Sequence, residues 1–248
     1  EWQFLQNQMI CDLNEGYAIY RPRYILPDYN VYIEKGCEFL ELPAPKNLDE
    51  ALDGLLILYS HVPSITTFPV YIGRLDVLLD PFITDEEQDY IKIKCFLNHV
   101  DKTVPDSFCH ANIGPYDTKA GRLILKAVIE LEAPTPNMTI RYDKSKTSRE
   151  FAELAAKACL LVSKPSFAND AYYISDLGKQ YGIASCYNAL PECGGAYTLT
   201  RLRLGTIARA CKTVDEMINE LLPRVAKCAL STMDKRHKFV VEESNFFN

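Results

Sequence analysis

The pattern of apolar and polar positions predicts helices that alternate with strands. In "NLDEALDGLLILYSHV" the apolar residues recur at helical spacing behind Asn47, a candidate N-cap, and predict a helix near 48–61. "NMTIRYD" at 137–143 is rich in β-branched and aromatic residues and predicts a strand. Helical and strand patterns follow each other along the whole chain.

Capping and proline signals refine where several of these predicted helices begin or end. Thr147 and Glu150 have the spacing of a capping box ahead of a helix at 148–162. A helical stripe starts at Thr213, and Pro223 predicts a kink or a break within it. The other expected elements are an irregular Pro-rich entry over 10–46, a strand and short helix around Gly73, a helix near 85–100, an extended segment at 105–117 ending in a Gly-Pro turn, a helix at 118–131, and strands at 182–188 and 197–204.

This alternation favours an α/β architecture, because strands separated by helices build a sheet with helical crossovers. We find no internal repeat and no low-complexity linker in the 248 residues. We therefore expect one domain, or one half of a larger one.

The composition and net charge limit the kinds of molecule that this chain is expected to bind. With 48% hydrophobic and 24% charged residues, the chain has enough apolar material for a sizeable core. Its net charge of −6 argues against nucleic acid and against anionic membrane surfaces as partners. The start lacks the order of a signal peptide, and no apolar run is long enough to span a bilayer, so we expect a cytoplasmic protein. The first residue is Glu1 rather than Met, which suggests a trimmed, processed or longer chain.

The nine cysteines do not resemble a disulfide framework, since their number is odd and their spacing irregular. We expect them to be mostly reduced and buried as small apolar side chains. The chain has no phosphate-binding loop, no G-x-G-x-x-G and no C-x-x-C pair. Cys109 and His110 are adjacent and lack the spaced partners of a zinc site, so no metal site is expected.

Cys186 is the residue with the strongest claim to chemistry. It lies in "ASCYNALPECGG", a turn-rich segment that follows the apolar "YGIAS". A cysteine hydrolase would need an imidazole base, which His61 or His110 could supply, and an orienting amide, which Asn112 could supply, but no hydrolase signature surrounds Cys186. From spacing alone, a buried structural cysteine is the favoured interpretation, and catalysis stays open.

Longer motifs carry a family resemblance. "YGIASCYNALP" at 181–191 resembles the cysteine loop of glycyl radical enzymes, in which a strand delivers a cysteine to a loop tip inside a barrel. Four further segments resemble the YjjI-type branch of that superfamily, which is related to pyruvate formate-lyase: "ICDLNEGYAIYRPRYILPDY", "LYSHVPSITTFPVYIGRLDVLL", "VPDSFCHANIGPYD" and "SKPSFAND". The resemblance covers nearly the whole chain.

The resemblance implies part of a ten-stranded α/β barrel, about one half-barrel plus the cysteine loop at 181–195. It implies that a glycyl radical, installed by a radical S-adenosylmethionine activase with an iron–sulfur cluster, passes to the Cys186 sulfur. The resulting thiyl radical would abstract hydrogen from a small organic substrate under anaerobic conditions. We expect no cofactor in this chain itself, while the activase and a second copy of the chain are expected partners.

The sequence departs from the superfamily pattern in three ways. Asn188 stands where many dehydratase members carry a glutamate base, and an amide cannot take a proton. Tyr187 follows Cys186 where pyruvate formate-lyase has a second cysteine, and Cys193 comes seven residues later. None of the eleven glycines lies in a radical motif of the R-V-x-G-Y kind, so we expect the glycyl radical domain to be absent and this chain alone to be inactive.

Other polar residues are candidate substrate-binding groups. His110 and Asn112 lie at a predicted strand end beside the Gly-Pro turn, and Arg23 in "YRPRY" could bind an anion. Asn169 and Asp170 precede the cysteine strand and could line the same cavity, together with Asn188 and Cys193. A rival hypothesis is an inactive barrel half that acts as a binding or partner-dependent subunit, because a half-barrel exposes strand edges and apolar surface.

Overall fold

A computed structural model describes residues 2–12, 24–66, 70–104, 109–133, 135–178, 180–184, 188–196 and 200–243. The chain forms two compact units. The terminal unit comprises Glu1–Arg23, Ile65–Thr67 and Ala196–Asn248, and the sheet unit comprises Tyr24–Ser64 and Phe68–Gly195. This division does not test the expectation of a single partial domain, which stays a prediction.

Helices and strands alternate through the sheet unit, as the sequence pattern predicts, and the following bounds cover the described residues of both units. The strands are β1 (Ile10–Asp12), β2 (Tyr24–Ile25), β3 (Tyr71–Arg74), β4 (His110–Ile113), β5 (Asn137–Tyr142), β6 (Ser166–Asn169), β7 (Tyr181–Ala184), β8 (Asn188–Pro191), β9 (Gly195–Ala196) and β10 (Thr200–Leu202). The α-helices are α1 (Trp2–Gln6), α2 (Asn30–Lys35), α3 (Leu48–Ile65), α4 (Leu75–Leu79), α5 (Glu86–Thr103), α6 (Lys119–Leu131), α7 (Arg149–Val162), α8 (Asp170–Leu177), α9 (Leu204–Arg209), α10 (Val214–Glu216) and α11 (Leu222–Glu242).

A four-stranded parallel sheet in the order β3-β4-β5-β6 is the centre of the sheet unit. The helices that connect its strands make the mixed α/β class expected from the sequence. Parallel strands need such crossovers, because a short turn cannot return the chain to the start of the next strand. A separate antiparallel pair, β7 and β8, follows the sheet.

The two faces of this sheet differ in chemistry. Ile72, Ala111, Ile113, Met138 and Ile140 are buried in one apolar core together with side chains of helices α3 to α7. Alternate residues along each strand point to the opposite face. We call that opposite side the polar face; its buried polar side chains are Tyr71, His110, Asn112, Thr139 and Arg141, and Ala168 of β6 lies beside Arg141 on it.

The terminal unit has a small core of its own. Strands β1 and β10 pair antiparallel with Ile10 opposite Leu202. Ile10 packs with Ile207, Val225 and Ala229 from the helical part of this unit. The predicted helical stripe from Thr213 is interrupted by a π-helical turn over Met217–Leu221, and α11 then begins with Pro223 in its first turn. In place of the expected kink or break, the backbone stays helical through the π-helical turn that precedes Pro223, and the proline lies in the first turn of α11, where it costs no hydrogen bond of that helix.

The cysteines differ from the expectation of mostly buried side chains. The eight cysteines outside residues 185–187 are all free thiols, but only Cys109 is fully buried, while Cys95 and Cys193 are exposed. The expected burial is therefore wrong for most of them. Cysteine is small enough to occupy half-buried positions at the rim of a core as easily as its centre.

The start of helix α7 also corrects one local prediction. Its N-cap is Ser148, whose Oγ accepts a hydrogen bond from the Phe151 backbone N–H at 3.1 Å. The Thr147 hydroxyl instead accepts from the Asp143 backbone N–H at 3.1 Å. A capping box at Thr147 and Glu150 is therefore wrong by one residue, because Thr147 closes the preceding turn.

Replacing Ser148 with alanine should lower the free energy of unfolding by about 1–2 kcal/mol, because the first turn of α7 loses its cap. Urea denaturation followed by circular dichroism measures the change. Ser148→Thr keeps the hydroxyl and should stay close to the unsubstituted chain. Equal stability of the alanine variant and the unsubstituted chain would show that the cap contributes nothing.

Candidate functional site

In the sequence, the candidate catalytic residue Cys186 comes between two strands that pair with each other. Ala184, the last residue of β7, is the partner of Asn188, the first residue of β8. Residues 185–187, and with them Cys186, lie outside the described residues, as does Arg23. The structure therefore defines the frame on both sides of Cys186 at a distance of two residues along the chain.

Asn112 holds β7 against the polar face of the sheet. Its Nδ2 donates to the Ile183 carbonyl at 2.9 Å, and its Oδ1 accepts from the Ile183 N–H at 2.7 Å. The Asn112 side chain has no solvent exposure. Both backbone groups of Ile183 are thus satisfied by one amide, which takes the place of a neighbouring strand.

Arg141 makes a second contact to the same strand. Its Nη1 donates to the Tyr181 carbonyl at 3.1 Å, and its guanidinium carbon lies 3.9 Å from the centre of the Tyr181 ring. Arg141 Nε also donates to Asp170 Oδ1 at 2.8 Å, and the Tyr181 hydroxyl donates to the same oxygen at 2.8 Å. Tyr181 at the start of β7 is therefore fixed through its backbone, its ring and its hydroxyl.

Gly182 lies between these two anchored residues. A Cβ at this position would lie 2.6 Å from the Cζ and hydroxyl oxygen of Tyr71 and 2.8 Å from Leu26 Cδ2. Tyr71 and Leu26 are both fully buried and cannot move aside into solvent. Only glycine lets β7 approach the sheet this closely.

The electrostatics of the cluster keep Asp170 ionised. Burial by itself would raise the pKa of the Asp170 carboxyl, but hydrogen bonds from Arg141 and Tyr181 outweigh burial and hold this pKa below its usual value. Lys146 Nζ adds a contact to the other Asp170 oxygen at 3.2 Å. The Tyr181 hydroxyl has a raised pKa, mainly because of burial, and stays protonated as a donor.

Burial also raises the pKa of Glu192, which follows β8. Arg74 and Arg141 act on it in the opposite direction through their positive charges. The carboxyl of Glu192 also raises the pKa of Tyr71 on the polar face. The segment that follows Cys186 in the sequence therefore carries a carboxyl group, that of Glu192, whose charge acts on Tyr71 of this face.

His110 lies apart from the cysteine strand. It is the first residue of β4 and pairs with Asn137 and Tyr71 at the amino end of the sheet, whereas Gly114 and Pro115 follow the carboxyl end. Burial, with a smaller contribution from the positive charge of Lys164, lowers the pKa of His110 to about 4. His110 is therefore neutral at pH 7.

The remaining candidates are spread over the sheet unit. Asn169 pairs with Tyr142 on the side of the sheet away from β7, and its Oδ1 caps helix α8 by accepting from the Tyr172 N–H at 3.2 Å. Asn188 is exposed. Cys193 follows the end of β8 opposite to Asn188, in a turn with φ 60°, and its N–H donates to the Leu26 carbonyl at 2.8 Å. Of the candidates with described positions, Asn188 pairs with Ala184 of β7 through the backbone, whereas Asn112 and Asp170 contact β7 through their side chains.

Sequence reasoning missed Arg141, Tyr181 and Tyr71. A signal for Arg141 exists in "NMTIRY", because the single charged residue of a buried strand requires a buried partner. No sequence signal identifies that partner as Asp170. The contact joins residues 29 positions apart and depends on the tertiary fold.

The described part of the chain offers no group of three His, Cys, Asp or Glu side chains placed to hold a metal ion. A pocket of about 360 Å³ lies at the carboxyl ends of β5 and β6 and is lined by residues including Tyr142, Phe167 and Asn169. Within the described ranges, no helix combines the length and the apolar character needed to cross a bilayer.

The chain belongs to the YjjI-like family of glycyl radical enzymes, whose family model, described as "Glycyl radical enzyme YjjI-like", matches residues 1–248. An uncharacterized protein of Haemophilus influenzae is 92% identical over 248 residues, all of this chain. The uncharacterized protein YjjI of Escherichia coli K12 is 44% identical over 246 residues, 98% of this chain. The chain spans 48% of the length of each of these relatives.

Gly182→Ala should destabilise the sheet unit by about 1–3 kcal/mol, since the new methyl group meets Tyr71 and Leu26 in a packed interior. Thermal unfolding measures the loss. Gly205→Ala, in α9 of the terminal unit, controls for the glycine-to-alanine change itself, because its Cβ would meet only the end of Arg209 at 3.7 Å. A Gly182→Ala variant as stable as this control would contradict the close approach of β7.

Asp170→Asn should cost about 3 kcal/mol or more at pH 7, because Arg141 then stays buried without its counter-charge. The lowered pKa of Asp170 stabilises the fold above the unfolded value of about 3.9 and loses this effect as pH falls through the folded-state pKa. The difference between variant and unsubstituted chain should therefore shrink below about pH 4. Urea unfolding at pH 7 and at acid pH measures this difference in stability. A stability difference that does not change with pH would show that it does not come from the ionised carboxylate of Asp170.

Proposed function

We propose that this chain supplies the cysteine part of a glycyl radical enzyme, in which Cys186 carries hydrogen atoms between a radical glycine and a small organic substrate. The observation that carries the proposal is the anchoring of β7, which ends two residues before Cys186. Asn112 and Arg141 bind β7 over a buried polar face, where Tyr181 and Ile183 also pack with Ala168 of β6. Membership of the YjjI-like family supports the same chemistry.

In the proposed reaction, the Cys186 thiol gives its hydrogen atom to the radical glycine, so that an S–H bond breaks and a glycine C–H bond forms. The sulfur radical then takes a hydrogen atom from a substrate carbon, which restores S–H and leaves the unpaired electron on the substrate. After rearrangement, the product radical takes this hydrogen back. Such a step needs the sulfur within near-attack reach of the carbon and shielded from water.

We propose that the sheet forms about half of a ten-stranded barrel with the polar face inside. Helices pack on the other face, as they do outside an α/β barrel. Among the described strands, β3 and β6 are the ends of the parallel sheet and have no further strand beside them. The glycine and the remaining strands would come from sequence outside these 248 residues, which is consistent with relatives about twice as long.

The radical would be installed by a radical S-adenosylmethionine activase with an iron–sulfur cluster, and we propose no cofactor held by this chain itself. We further propose a cytoplasmic protein that works anaerobically, acts on a small molecule rather than on nucleic acid or membranes, and pairs with a second copy. The charge of −6 supports the exclusion of nucleic acid.

Two residues narrow the reaction. Asn188 is exposed, and its amide can donate or accept hydrogen bonds but cannot act as a base. Cys193 lies just beyond Pro191, the last residue of β8. The length of β8, roughly 10 Å, therefore separates Cys193 from Asn188 at the other end of the strand. A mechanism that uses two adjacent cysteines therefore has no support from Cys193.

Cys186→Ala should abolish hydrogen exchange between the radical glycine and solvent. In D2O the thiol becomes S–D, so reversible transfer replaces the glycine α-hydrogen with deuterium and collapses its splitting in the electron paramagnetic resonance spectrum. The full-length polypeptide is activated anaerobically with its activase and then transferred to D2O. Cys95→Ala, at an exposed cysteine on α5, is the matched control and should exchange normally. Normal exchange in Cys186→Ala would refute the proposed role.

A further inference from the structure

The amide of Asn112 is the anchor closest in sequence to Cys186 among those on the polar face. It binds Ile183, three residues before Cys186, whereas Arg141 binds Tyr181, five residues before it. We infer that Asn112 is a positioning residue, which sets the place of Cys186 by fixing the backbone of Ile183. This inference rests on the proposed function, because it takes the role of Cys186 from there.

The geometry of this contact restricts β7 in more than one direction. Two hydrogen bonds, at 2.9 Å and 2.7 Å, join one planar amide to one backbone residue and so fix both distance and orientation. The Tyr71 hydroxyl donates to the same Asn112 oxygen at 3.4 Å. Since Asn112 is buried on a four-residue strand inside the sheet, its own position is determined by the core.

Few other side chains could replace this amide. Aspartate keeps an acceptor for the Ile183 N–H but, when ionised, offers no donor to the Ile183 carbonyl. Glutamine carries both groups on a longer side chain and would push β7 away from the sheet. Alanine leaves both backbone groups of Ile183 without a partner in a buried place, where an unsatisfied group is costly.

The partner strand β8 does not make this anchor redundant. β8 pairs with the edge of β7 that faces away from Asn112, where Ala189 lies opposite Ile183. The two strands together form one antiparallel pair. A shift of β7 over the sheet would carry β8 with it and leave their mutual pairing intact. Beyond the end of β8, backbone hydrogen bonds join Cys193 and Gly194 to Leu26, whereas Asn112 and Arg141 anchor β7 itself to the sheet.

Hydrogen-atom transfer depends strongly on such placement, since a displacement of about 1 Å can cost about 100-fold in rate. We therefore expect Asn112→Ala to slow deuterium exchange at the radical glycine by about 10- to 100-fold. The amount of glycyl radical per chain should stay unchanged, because in the proposed function the activase installs the radical on the glycine itself. Asn112→Asp should be slowed as well, since it lacks the donor to the Ile183 carbonyl.

The control separates positioning from stability. Ser148→Ala weakens the same unit at the cap of α7, away from β7, and should exchange at the normal rate. If Asn112→Ala and Ser148→Ala slow exchange equally, the effect follows stability and the positioning role is refuted. Normal exchange in both Asn112 variants refutes it too.

The two hypotheses fail in different ways. If the unsubstituted protein exchanges and Cys186→Ala does not, while Asn112→Ala exchanges normally, the proposed function stands and the positioning role falls. If exchange does not depend on Cys186 at all, both fall. Neither pattern can be mistaken for the other.

Amide exchange in the 248-residue chain itself gives a second, independent measurement. The Ile183 N–H should be protected from deuterium in the unsubstituted chain and should exchange at least 10-fold faster in Asn112→Ala. The N–H of Phe151 in α7 serves as the internal reference and should not change. Unchanged protection of Ile183 would overturn the inference even before any radical is generated.

Discussion

Along one edge of β7 no described strand lies, so the backbone N–H and carbonyl groups there need hydrogen-bond partners of another kind. The rest of the site depends on how these partners are supplied. Tyr181 and Ile183 direct backbone groups toward the sheet, in a region with almost no solvent. An unpaired buried N–H or carbonyl is costly, so these groups need partners from side chains. Asn112 and Arg141 provide them from β4 and β5, two neighbouring strands.

This solution places polar and charged side chains inside the fold, which is unfavourable unless each is paired. Arg141 is almost fully buried and meets that condition through Asp170, the Tyr181 carbonyl and the Tyr181 ring. Asp170 in turn accepts from Arg141 and Tyr181 and contacts Lys146. A buried ion pair adds little net stability compared with apolar packing, but it fixes relative positions because breaking it is costly. The cluster therefore specifies where β7 begins.

The two faces of the sheet differ in chemistry, and β7 is held on the polar one. One face is apolar and covered by helices, whereas the other is polar and receives the strand pair that flanks Cys186. A sheet with two apolar faces would have held β7 by packing alone, with freedom to slide. Directional hydrogen bonds to Ile183 and Tyr181 remove this freedom, which suits a site where one sulfur atom must be placed accurately.

The sequence by itself determined the α/β class, the main helices and strands and the family. These signals are local: the apolar spacing behind Asn47 fixes α3, the β-branched run fixes β5, and long motifs around Cys186 identify the family. Even the error at Thr147 was a choice between adjacent hydroxyls. The sequence also singled out Asn112 and Asp170, but as candidate substrate-binding groups and, for Asn112, as an orienting amide of a hydrolase. Tertiary structure alone decided that both hold the cysteine strand, because Asn112 meets Ile183 across 71 positions and Asp170 meets Arg141 across 29. Such distant pairs leave no periodic trace, since they form only when the folded sheet brings separate strands onto one face.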